Sequence, residues 1–74
     1  MTTFRITVAS PPDREHLVAE VFVESEQIAE INQEGQGGLS IEIYPRSDGK
    51  AWRLPYAQLV QALSDAQHRL TGDK

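Results

Sequence analysis

Ser64, Asp65 and His68 lie within one turn of a predicted helix and hold, on paper, the three groups of a hydrolase triad. Crowded on one turn, with no loop to supply an oxyanion hole, they are not expected to act as one. His16 is the only other histidine, and neither has HxxxH or HxH spacing or a Cys partner, so no metal site is expected. Glu20, Glu30 and Glu42 could stand side by side on adjacent strands, and grouped carboxylates can serve acid–base or cation chemistry. Both uses need a concave, partly dry site, which a flat sheet face does not supply. Gly35-Gln36-Gly37-Gly38 lacks the GxGxxG and GxxxxGK patterns and reads as a hairpin loop, not a phosphate cradle. Arg46, Lys50 and Arg53, with Trp52 and Tyr44, could stack and neutralise a single nucleic-acid strand. Their acidic surroundings argue against it, so Trp52 is expected in the core with the bases paired to nearby acids. Catalytic residues, cofactors and metals are therefore all expected to be none, and the chain is not expected to be an enzyme.

The elements that position these residues must come from one small domain, because a chain of 74 residues buries only roughly 60% of its unfolded surface. It has no Cys, which removes disulfides and thiolate chemistry and suits a reducing compartment. The opening MTTFRITVAS is too short in apolar run for a signal-peptide core, and no stretch approaches the ~20 apolar residues of a membrane span. A soluble, cytoplasmic protein without membrane association is expected. The net charge of -4 is unevenly spread. Residues 13–42 hold eight acids against one base, Arg14, giving -7; the remainder holds three acids and six bases, giving +3. Such a middle repels phosphate backbones, so nucleic acid is not an expected partner, whereas a basic protein surface would be drawn in.

Phe4, Ile6 and Val8 alternate with Arg5 and Thr7 as a first strand, stopped by Pro11-Pro12. Leu17–Val23 reads as a second strand, Glu24-Ser25-Glu26 as a tight turn, and Gln27–Gln33 as a third strand. Leu39–Tyr44 is a fourth, and Asp48-Gly49 announces a hairpin into a short fifth strand at Lys50–Leu54. Pro55 opens a helix whose stripe is Tyr56, Leu59, Val60, Leu63, Ala66 or Gln67, and Leu70, with Gly72 as its stop. Strands in hairpin order followed by one helix give an α+β fold: an antiparallel meander of four to five strands with a C-terminal helix on one face.

Period-two alternation places Leu17, Val21, Val23, Ile31, Leu39, Ile41 and Ile43 on the helix side, with Phe4, Ile6, Val8, Trp52 and Leu54 completing the core. The opposite face carries Val18, Glu20, Phe22, Glu24, Ile28, Glu30, Ser40, Glu42 and Tyr44. One helix cannot cover both faces. An acidic face carrying aromatics is a partner site, a homodimer interface or a surface covered by a loop.

The segments AEINQEG (Ala29–Gly35) and IEIYPR (Ile41–Arg46), then a Trp and a terminal helix ending AQHRL, resemble small acidic bacterial immunity proteins. These belong to polymorphic-toxin and contact-dependent inhibition loci, and the resemblance runs from Phe4 to Leu70. It implies a cytoplasmic protein that binds a cognate, basic toxin domain and blocks it by occupancy, with no catalytic residues carried over. The expected partner-binding residues are Glu20, Phe22, Glu30, Glu42 and Tyr44. A homodimeric structural or regulatory module using the exposed sheet face is the alternative.

Overall fold

A computed structural model describes residues 2–35 and 37–72. Four strands, β1 (Phe4–Ala9), β2 (Val18–Val23), β3 (Glu26–Gly35) and β4 (Gly38–Ile43), precede one helix, α1 (Tyr56–Thr71). They form one antiparallel sheet in the order β1-β2-β3-β4, with α1 packed on it, as the α+β reading expects. Among the described residues each strand pairs only with its sequence neighbours, so hairpin connections suffice to make the sheet. The β2–β3 turn is Glu24-Ser25, and Glu24 takes a φ of 57° without being glycine. At the β3–β4 turn a Cβ on Gly35 would run into the Ser40 side chain, so a larger residue there would require Ser40 Oγ to move aside.

The core lies between the sheet and α1. Ala19, Val21, Val23, Ala29 and Ile31 are buried there against Ala62, Ala66 and Leu70 of the helix. Phe4, Ile6, Trp52 and Leu54 pack on it half-buried, as anticipated. The helix ends at Gly72, whose left-handed φ of 77° lets its N–H donate to the His68 carbonyl. Pro55 stands at the N-cap, one position outside the helix.

Several expectations are corrected. Lys50–Leu54 is not a strand: Asp48 closes its turn on Arg46 and on the Lys50 N–H, and Trp52 Nε1 donates to the Tyr44 carbonyl at 2.9 Å. This segment is spent carrying the chain from the β4 edge back to the helix. Ile28 belongs to the core, not the outer face. A bulge between Val21 and Phe22 pairs Val21 with Ala29 but Phe22 with Gln27, leaving Ile28 as the extra residue turned toward the helix. Tyr56 and Val60 are exposed, and the buried helix positions are Ala62, Ala66 and Leu70, with Leu59 and Leu63 half-buried beside them. Small alanines at the centre let the backbone approach the sheet closely.

Leu39, Ile41 and Ile43 are also exposed, Ile43 at 71%, as are Val8 and Leu17, and β2 begins at Val18. A helix about 10–12 Å across covers roughly two strands spaced ~4.8 Å apart. Here the helix packs most closely on β1 and β2, so β4 stands outside its close contacts and borders it only across an open groove.

Candidate functional site

The cross-strand register brings the three carboxylates together. Glu20 pairs with Glu30, and Glu30 with Glu42, so one row crosses three strands on the face away from the helix. Like charges directly opposite on a sheet repel. The β1–β2 loop (residues 10–17) answers this with Arg14, the one base of the acidic stretch. A turn closed by Arg14 N–H on the Pro11 carbonyl at 3.2 Å projects that side chain over the sheet. Arg14 Nη2 lies 3.0 Å from Glu30 Oε2 and 2.8 Å from Glu42 Oε2.

Asn32 completes the arrangement from below. Its Nδ2 donates to Glu30 Oε2 at 3.0 Å and to Glu42 Oε2 at 3.1 Å, while its Oδ1 accepts the Glu34 N–H at 3.2 Å. Asn32 and Val18 are fully buried, and Glu30 is only 6% exposed. The expectation of a flat, exposed face is therefore corrected, and the reading of a surface covered by a loop describes the region around Glu30. By alternation these residues point away from the helix, and the loop that delivers Arg14 is the element that reaches them. A lone base among eight acids was the signal in the sequence that could have found this contact.

Of the expected partner residues, Glu30 is buried and bound to Arg14, Glu42 is bound to Arg14 yet exposed, and Glu20, Phe22 and Tyr44 are half-buried. Phe22 lies apart from the arginine contact, under the Arg5 guanidinium with 4.4 Å to the ring centre, an attraction of the cation for the ring's π face. Desolvation draws the Arg14 pKa down, and the charges of Glu30 and Glu42, the Glu42 hydrogen bond and Asp13 more than offset it, leaving it above the usual arginine value. Burial pushes the Tyr44 phenol above the usual tyrosine value, Glu30 and Glu42 add to this, and Arg14 opposes it. Tyr44 thus belongs electrostatically to the row.

The remaining candidate groups are dispersed. Ser64 and Asp65 are half-buried and His68 is exposed, and the Asp65 carboxylate accepts from Gln61 at 2.9 Å. Among the described residues no three His, Asp or Glu side chains converge as a metal cradle. Arg46 pairs with Asp48 at 2.8 Å and lies 5.6 Å from the centre of Trp52, whereas Lys50 and Arg53 are exposed. Among the described residues no helix is long and apolar enough to cross a membrane. No protein-family model, curated protein or solved structure matches the chain.

Proposed function

We propose that this chain is a binding protein that neutralises a cognate basic toxin domain by occupying its surface, contributing no chemistry of its own. The observation that carries the reading is the carboxylate row Glu20–Glu30–Glu42, set in register across three strands. The row holds three carboxylates and Arg14 engages two of them with one guanidinium, so a negative balance remains that a basic surface would complement. Arg14 supplies the example from within: two carboxylates of the row already hold one guanidinium at hydrogen-bonding distance. Phe22 and Tyr44 flank the row and offer aromatic area of the kind that slows dissociation. Exposed Asp13 and Glu15 on the same loop extend the acidic field to the rim, where charge sets the rate of encounter.

The burial of Glu30 determines how this is tested, because reversing it to Lys would set a second cation against Arg14 inside the fold. Asp13→Lys, Glu15→Lys and Glu20→Lys alter the rim without that cost. Affinity of these variants for the toxin-like product of an adjacent reading frame, measured at low and high salt, is the experiment. Weaker binding with a shallower salt dependence supports the reading. Unchanged affinity and salt dependence would sink it.

A further inference from the structure

The sheet has two edges, and they are treated differently. At β1, the Glu24 N–H donates to the Thr3 carbonyl at 3.2 Å, which fixes the phase of the ladder. Thr3, Arg5 and Thr7 turn their backbone groups toward β2, so Phe4, Ile6 and Val8 turn theirs outward. That outward edge is guarded. Arg69 of the helix donates from Nη1 to the Ile6 carbonyl at 3.1 Å, and Arg5 adds a charge of the kind that discourages edge pairing.

At β4 the phase is set by the Tyr44 N–H, which donates to the Ile28 carbonyl at 2.9 Å. Ser40, Glu42 and Tyr44 therefore bond to β3, and Leu39, Ile41 and Ile43 present their N–H and C=O groups outward. The side chains of these same three residues are the exposed apolar strip on the helix side. The strip borders an open apolar groove floored by Ile28 and Ala29 and walled by Ile41, Ile43, Leu59 and Leu63. Among the described residues, one edge thus combines unpaired backbone with unburied apolar side chains.

We infer that β4 pairs antiparallel with β4 of a second copy of this chain, about a two-fold axis through Ile41, joining two sheets into one of eight strands. Self-complementarity selects the occupant. With the axis at Ile41, Ile41 faces itself and Leu39 faces Ile43 of the other copy, so the outward groups of all three residues find partners. The two apolar strips become continuous, and on the opposite face Ser40 meets Glu42 of the second copy. With the axis at Glu42, that carboxylate would face itself, a repulsive pair. With the axis at Ser40, the backbone groups of Ile43 would lose their apolar partner and face Gly37. A two-fold contact between identical edges closes on itself, and the guarded β1 edge adds no further copies. This pairing is read at Ile41 and Ile43 and the proposed toxin-binding face at Asp13, Glu15 and Glu20, none of which the pairing touches, so the two stand or fall separately.

The chain has no cysteine, which makes register directly readable by cross-linking. The Cα atoms of Ile41 and its symmetry mate would stand about 5.5 Å apart, within disulfide reach. Those of Ile43 and its mate would be separated by about 14 Å, beyond it. Oxidation of Ile41→Cys should give a disulfide-linked pair of chains, and Ile43→Cys should give little. Sedimentation of the wild-type protein should show a reversible two-chain species. Ile43→Lys, at the most exposed position of the strip, should return it to one chain while leaving circular dichroism unchanged. Ile41→Pro removes an N–H that the single chain's own ladder does not use, and should likewise abolish pairing. A wild-type mass of one chain at millimolar concentration overturns the inference, as does equal cross-linking of the two cysteine variants.

Discussion

The two faces of the sheet are closed by different means. The helix face is covered by sixteen residues of α1, whose buried positions are Ala62, Ala66 and Leu70, and its cohesion is apolar area and close approach. The outer face is closed by an irregular loop whose principal contact is one guanidinium held between two carboxylates. Apolar contact is tolerant of direction and grows with the area removed from water. A charged contact depends on angle, distance and complete hydrogen bonding, and a buried ion left unpaired is costly. The comparison explains why a chain this small can carry buried Glu30 at all. Arg14 and Asn32 together satisfy it, and the helix side supplies the apolar cohesion that the outer side lacks.

Each side of this comparison can be broken separately. The largest effect is expected on the helix face, where Leu70→Ala should lower unfolding free energy by about 3 kcal/mol, read from urea denaturation. Its signature is a loss that barely responds to salt. On the outer face, Asn32→Ala removes the amide that donates to both Glu30 and Glu42, leaves Arg14 as their remaining donor and strands the Glu34 N–H, and should cost on the order of 2 kcal/mol. Here the loss should shrink as salt is added, because Glu30 and Glu42 then repel less. A loss insensitive to salt would show that Asn32 acts by filling space.

The smallest and sharpest effect concerns Tyr44. In a Tyr56→Phe background, ultraviolet titration should place its ionisation above the free-tyrosine value of about 10. Because the folded value is raised, this phenol contributes stability that is fully present below that unfolded value and is lost as pH rises through the folded one. Arg14→Ala removes the cation that opposes the rise, so ionisation of Tyr44 should move further upward. A downward movement would remove Arg14 from the electrostatic surroundings of Tyr44.

Much of the fold was legible because its signals were local. Ala19, Val21 and Val23 alternate as a half-buried strand must, the helix runs from Tyr56, and Gly72 terminates it in a conformation few other residues accept. Glu20, Glu30 and Glu42 were legible as strand neighbours for the same reason, since hairpin connections constrain register. The bulge at Val21/Phe22 was not, because an inserted residue carries no mark in composition, and Ile28 changed faces with it. Nor does alternation say which part of a face the helix reaches, so Leu39, Ile41 and Ile43 read as core although the helix lies over β1 and β2. The fate of Arg14 depended on a long-range contact, 28 positions away at Glu42. Sequence patterning described the row of acids but not the cation that lies on it.

The bond from Arg69 to Ile6 also bears on how the chain reaches this shape. The sheet's hairpins join strands adjacent in sequence, but this contact spans 63 positions and closes almost the whole chain into a loop. Closing a longer loop costs more entropy, and distant contacts slow folding. The hairpins can therefore assemble early, while docking of the helix on β1 waits for the rest. A side chain engaged in that late step influences escape from the native state more than arrival at it. The same Leu70→Ala variant should accordingly quicken unfolding in stopped-flow measurements and leave the refolding rate nearly unchanged.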